Sequence, residues 1–162
     1  MRGLFLFAVG TLTGLAIHVA VAQSQTPGNL SVNHVGINVA DMEEALEYYT
    51  QVMGFPEAFR LLDDAGALDL VYVQVSRDTF VELRPVNEGR PAGISHIGLY
   101  TDDIEGAAAT LRGRGANASE PRLSGSGAKS ILSFISDPYG NRMELNELPP
   151  DALTRLAMER WQ

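Results

Sequence analysis

The chain has 162 residues, with 12 lysines and arginines against 20 aspartates and glutamates, and a formal net charge of −8. With Lys129 as its only lysine, it lacks the basic footprint of a nucleic-acid binder, and no nucleic-acid partner is expected. It has no cysteine, which excludes a lipoprotein anchor and a disulfide framework and is compatible with an oxidising compartment.

Residues 1–22 read as a signal peptide. Arg2 supplies a minimal positive start, Gly3 to Val19 is largely apolar, and Ala20-Val21-Ala22 before Gln23 has the small-x-small form of a cleavage site. A retained membrane anchor is the alternative, but the apolar run lies near the lower limit for a span. The expectation is export, to the periplasm or beyond the cell, with no membrane attachment after cleavage. Residues 23–29 form a short linker carrying Pro27 and Gly28. Removal of residues 1–22 leaves about 140 residues, enough for one compact domain.

Leu30 to Val39 alternates like a strand. Asp41 is a helix N-cap with Glu44 three residues on, and Met42, Ala45, Leu46 and Tyr49 share one helical face until Gly54 ends it. Strands are predicted near Ala58–Leu62, Leu68–Val75 and Thr79–Arg84, which makes a β-α-β-β-β unit over residues 30–87. Glu88 to Gly93, with Pro91, joins it to a second unit over residues 93–148. There Gly93–Thr101 is a strand, Asp102 or Asp103 caps a helix to about Arg112, and Gly113 and Gly115 close it. Ser130–Ser136 and Arg142–Leu148 are strands separated by the turn Asp137-Pro138-Tyr139-Gly140-Asn141. Residues 149–162 hold a final helix, with Leu153, Leu156 and Ala157 on one face and no counterpart in the first unit. It suits covering a sheet edge or packing on a second subunit, so a homodimer is one expected assembly.

The two units are copies. The interval from His34 to His96 equals that from Glu82 to Glu144, so each histidine precedes its glutamate by the same stretch of chain. Val32-Asn33-His34-Val35-Gly36-Ile37 aligns with Ile94-Ser95-His96-Ile97-Gly98-Leu99, and Phe80-Val81-Glu82-Leu83 with Arg142-Met143-Glu144-Leu145. Strand alternation points all four away from the aliphatic face of their own strand. Glutamate is disfavoured inside a strand, and a buried carboxylate is costly unless a cation neutralises it. Gly36 and Gly98, two residues beyond each histidine, leave space on that face. Two imidazoles and two carboxylates suit one divalent transition metal: nickel, cobalt, zinc, iron or manganese. A polar face that is simply solvated is the plainer reading of each residue alone; their matched spacing favours the metal.

These motifs, with Tyr48-Tyr49, Met53-Gly54-Phe55 and the Asp137–Asn141 turn, resemble the vicinal oxygen chelate superfamily, the glyoxalase and bleomycin-resistance-like group. The resemblance covers residues 30–148. It implies an α+β fold in which two βαβββ modules form a curved, mostly antiparallel open sheet around a metal cleft, here followed by the C-terminal helix. The set His34, Glu82, His96 and Glu144 is similar to that of bacterial-type glyoxalase I, a lactoylglutathione lyase. Extradiol dioxygenases use two histidines and one carboxylate, matching His34, His96 and Glu144; methylmalonyl-CoA epimerases usually place glutamine at the Glu82 position. The implied activity is that of an exported metal-dependent lyase or isomerase moving a proton on a small vicinal-oxygen substrate through an enediolate that the metal stabilises. Glu144 is the implied base and Glu82 its partner. The alternatives are an extradiol-type dioxygenase and a non-catalytic small-molecule binding protein.

Arg60, Arg84 and Arg122 are available as anion partners. Arg84 is the most suggestive substrate contact, because alternation puts it on the Glu82 face. The loop Ser124-Gly125-Ser126-Gly127-Ala128-Lys129-Ser130 is glycine-rich, but Ala128 and the strand that follows argue against a phosphate loop. It reads as a surface turn, with a flap over the cleft as the alternative. Asn29-Leu30-Ser31 and Asn117-Ala118-Ser119 match glycosylation sequons.

Overall fold

The computed structural model describes residues 29–162. The expected signal peptide and nearly all of the expected linker lie outside the described residues. In chain order the elements are β1 (Ser31–Val39), α1 (Met42–Glu47), β2 (Glu57–Leu62), β3 (Leu68–Ser76), β4 (Thr79–Pro85), β5 (Gly93–Tyr100), α2 (Ile104–Gly113), β6 (Arg122–Leu123), β7 (Ile131–Ser136), β8 (Arg142–Glu147) and α3 (Leu153–Arg160). Asp41 caps α1 as predicted, its Oδ1 accepting from the Glu43 and Glu44 amides at 3.0 Å each. Tyr48–Val52 continues α1 as a π-helical segment, and Gly54 then reverses the chain at φ +74°.

All eight strands join one mixed sheet in the order β2-β3-β4-β1-β5-β8-β7-β6. The two copies meet at its centre, where β1 and β5 pair antiparallel. Within each copy the first strand pairs parallel with the last, β1 with β4 and β5 with β8. The sheet is open at both edges and mostly antiparallel, the architecture the family resemblance implies. One strand escapes the sequence pattern. β6 has only two residues, too few to alternate, and pairs Arg122 with Leu132 and Leu123 with Ile131. It completes the second copy, because Arg122 and Leu123 stand one repeat interval after Arg60 and Leu61 of β2.

Each copy buries one sheet face under its own helix. Met42 and Leu46 of α1 pack on Val71, Val73 and Leu83, with Ile37, Val39 and Val81 beside them. Ile104, Ala107 and Ala108 of α2 pack on Ile135 and Leu145, with Leu99 and Met143 beside them. These are the aliphatic faces that alternation assigns away from the four candidate ligands. Burying such a side chain contributes about 1.5–3 kcal/mol, so a register slip of one residue would cost several at once.

The third core lies on the opposite face and is built on strands of the first copy. There Leu70, Tyr72 and Phe80 pack with Ala128 and with Ala157 of α3. Arg155 Nε donates to Leu148 O at 2.6 Å and the Leu153 amide to Ala128 O at 3.0 Å, which fix the helix at its start. Of the face formed by Leu153, Leu156 and Ala157, Ala157 is buried in this core with Met158 beside it, while Leu153 and Leu156 stay half-buried.

Candidate metal centre

Register explains how the ligands meet. Across the central strands His34 faces Gly98 and Gly36 faces His96; Gly36 also neighbours Glu82, and Gly98 neighbours Glu144. Each imidazole therefore lies over the glycine of the other copy. A Cβ at Gly98 would stand 2.1 Å from His34 Cε1, and one at Gly36 2.2 Å from His96 Cε1. Glycine is required here for room, since any side chain would occupy the ring's place.

The four predicted residues converge from one chain. His34 Nε2 and His96 Nε2 are 2.9 Å apart. Glu82 Oε2 lies 3.7 Å from His34 Nε2 and 3.9 Å from His96 Nε2; Glu144 oxygens lie 3.6 and 3.9 Å from the same atoms. Donors about 2.1 Å from one ion stand about 3.0 Å apart at right angles and about 4.2 Å when opposed, so these separations suit a shared cation. His34, His96 and Glu144, with ligand atoms all within 4.8 Å of one another, form a group that could hold a metal ion.

Tautomers sharpen the case. Asn33 Nδ2 donates to Asp78 O at 3.1 Å, which turns Asn33 Oδ1 toward His34 Nδ1, also at 3.1 Å. The ring proton is thereby held on Nδ1 and the Nε2 lone pair faces inward. Ser95 Oγ stands 2.9 Å from His96 Nδ1 and can accept its proton in the same way. Two lone pairs directed at each other repel, and a cation between them removes that repulsion. Burial favours neutral imidazoles, pushing His34 down to about 4 against the pull of Glu82, and lowering His96 too.

The carboxylates differ. Tyr72 lies opposite Glu82 and donates its phenol to Glu82 Oε2 at 2.5 Å. Burial, then Glu82, hold that phenol's pKa well above its usual value, so it stays a donor. Phe134 lies opposite Glu144 and has no hydroxyl. Burial, followed by repulsion from Glu82, raises Glu144 to about 8 despite Arg142 and Arg84. Sequence reading missed Tyr72, Phe134, Asn33 and Ser95, whose roles depend on cross-strand register or ring tautomer; Asn33 and Ser95 do lie beside the histidines.

The centre opens into a cleft of about 510 Å³ lined by Glu82, His96, Glu144, Arg84, Arg122 and Arg142 among others, within the usual range for small-molecule sites. Arg84 is there as predicted, with Nη2 on Asp69 Oδ2 at 2.7 Å and a buried Nε that has no acceptor among the described residues. Arg60 is not: it is exposed and bonded to Glu57, three residues earlier on β2. Arg142 was not singled out from sequence. The serine-glycine loop is a compact turn, closed by Ser124 N to Ser130 O at 2.8 Å, and Ser124, Gly125 and Ser126 line the cleft.

Known proteins are similar to this chain in sequence and fold. A 2-epi-5-epi-valiolone epimerase from Actinomyces sp. is 26% identical over 153 residues, covering 78% of this chain and 84% of the epimerase. A lactoylglutathione lyase from Salmonella typhimurium is 25% identical, covering 70% of this chain and 90% of the lyase. Matching plant and fission-yeast lactoylglutathione lyases are longer, and the chain spans 35% to 50% of their length. The crystal structure of methylmalonyl-CoA epimerase from Mycobacterium tuberculosis superposes with a TM-score of 0.63 at 25% identity, over 74% of this chain and 88% of that one. The family model of the glyoxalase/bleomycin resistance protein/dioxygenase superfamily matches residues 31–145, and the chain belongs to that superfamily.

Proposed function

We propose that the protein is a metal-dependent lyase or isomerase that moves a proton between adjacent carbons of a small substrate bearing vicinal oxygens. The observation that carries this reading is the inequality of the two glutamates around a pair of inward-facing imidazole nitrogens. His34, His96 and Glu82 are the residues to hold one divalent transition ion, with Glu144 completing the set. When bound, that ion supplies Lewis-acid stabilisation of a developing oxyanion. Glu82 is tethered by the Tyr72 phenol and serves as a fixed ligand. Glu144 has no such hydrogen bond among the described residues and lines the cleft, which suits a group that takes a proton from carbon and returns it. Arg84 contributes a substrate contact through Nε. The relatives include both lyases and epimerases, which supports the reaction class over any single substrate.

The first test is metal content per chain in protein purified without a chelating tag, beside a Glu82→Gln variant. About one transition ion per chain, reduced in the variant, is expected. Protein that is metal-free and refuses added nickel, cobalt, zinc, iron and manganese sinks the reading. Turnover is then sought with methylglyoxal plus a thiol and with a chiral methylmalonyl thioester in deuterated water, where proton transfer leaves label on carbon. The tight His34, His96 and Glu144 group also fits the two-histidine, one-carboxylate pattern of an extradiol dioxygenase; oxygen consumption with a catechol would reveal that second reading. Export is proposed as well, and a mature N-terminus at Gln23 by mass spectrometry is its expected sign.

A further inference from the structure

The pseudo-twofold relation between the copies breaks down on the cleft face, and the break indicates what the cleft receives. Leu70, Tyr72 and Phe80 of the first copy correspond, one repeat interval on, to Leu132, Phe134 and Arg142 of the second. The first three are buried beneath Ala128 and α3. Among the described residues no matching helix covers the second copy, and its three line the open cleft with Arg122. A symmetric groove has been filled on one side and left open on the other. Where the filled side presents the phenyl ring of Phe80, the open side presents the guanidinium of Arg142.

Two arginines share that open floor. Arg142 Cζ lies 4.1 Å from the Phe134 ring centroid and Arg122 Cζ lies 5.8 Å from it. The ring attracts each guanidinium but cannot neutralise either. Neither makes an ion pair with a carboxylate among the described residues, while Arg60, Arg84, Arg90 and Arg112 each do. In a chain carrying 20 acidic residues against 12 basic ones, two exposed guanidiniums on one aromatic ring, both lining the cleft and with only Glu144 as an acidic neighbour acting on Arg142, leave donors free for an anion from outside.

We infer that Arg122 and Arg142 bind a carboxylate or phosphate at the non-reacting end of the substrate, which makes the substrate class a short organic acid or phosphate ester. This rests on the proposed proton transfer at Glu144. Arg142 and Glu144 are two residues apart on one face of β8, so their Cα atoms are about 7 Å apart. The anionic group therefore sits only a few bonds from the carbon that loses its proton. Planar, forked guanidinium donors suit bidentate contact with either anion.

The test measures binding of succinate and of inorganic phosphate, by calorimetry, to the metal-loaded full chain. Arg122→Gln, Arg142→Gln and the double variant are compared with Arg60→Gln, whose arginine is on the first copy and outside the cleft. Metal content is measured in every sample. The expected result is saturable binding of at least one anion, weakened about tenfold or more by each cleft substitution and unchanged in Arg60→Gln; which anion binds distinguishes carboxylate from phosphate. Absence of binding to the parent protein, or equal binding by parent and double variant at equal metal content, overturns the inference. Arginine-dependent anion binding with no proton transfer on any substrate would retain the anion site and remove the reaction assigned to Glu144. Proton transfer that proceeds equally in the double variant would keep the reaction and remove the anion site.

Discussion

The two copies of the βαβββ unit share a backbone plan and differ in what they do with it. Both place a histidine over the other's glycine and a glutamate one strand away. In the first copy Tyr72 tethers Glu82, and the surrounding cleft face is sealed by α3. In the second, Phe134 leaves Glu144 untethered, and arginines replace the apolar seal. Duplication supplies a symmetric set of side chains around a point; in the proposed reaction, divergence makes one half a support and the other a working surface.

The largest expected effect comes from the glutamates. Glu144→Gln should lower turnover about 10²- to 10⁴-fold, the range for loss of a general base, whereas Glu82→Gln should act first on metal content. Equal losses of turnover at equal metal occupancy would break the assigned division. Next comes the steric demand. Gly98→Ala forces His34 from its position, with a stability cost of about 1–3 kcal/mol for overpacking and a marked loss of bound metal. Gly36→Ala should do the same through His96, and normal metal content in either would contradict the register argument.

A smaller effect tests the tether. Tyr72→Phe makes the first copy like the second and removes a buried hydrogen bond to a carboxylate, with an expected loss of about 1.5–3 kcal/mol in denaturant unfolding. No change in stability would mean that the phenol does not restrain Glu82.

The gentlest probe is pH. Glu144 is raised from 4.5 to about 8, so the stability its protonated form contributes is present below 4.5 and lost as pH rises through about 8. His34 is lowered from 6.5 to about 4, so its contribution is present above 6.5 and lost as pH falls through about 4. Metal binding requires both groups deprotonated. Metal uptake near pH 7 should therefore release close to one proton, less above pH 8 and less in Glu144→Gln, as weakly buffered titration would record. Release that does not change between pH 7 and 9 would contradict the raised value.

Much of this molecule is determined locally. Strand alternation, the Asp41 cap and the repeat spacing are properties of neighbouring residues or of an offset along the chain, so the modules, the central strands and the four donors at His34, Glu82, His96 and Glu144 were legible without a structure. Alternation identifies the face a side chain occupies but not what stands opposite it. Pairing of Tyr72 with Glu82 and of Phe134 with Glu144 required the strand register, and the Asn33 and Ser95 contacts required ring orientation. Arg84 was visible on the Glu82 face, yet its pairing with Asp69, fifteen residues earlier on β3, was not. The two residues of β6 carry too little pattern to announce a strand. That α3 crosses to seal the first copy, leaving Arg122 and Arg142 open in the second, was settled only by tertiary packing, because burial of an apolar helix face specifies that a partner is needed without specifying which one.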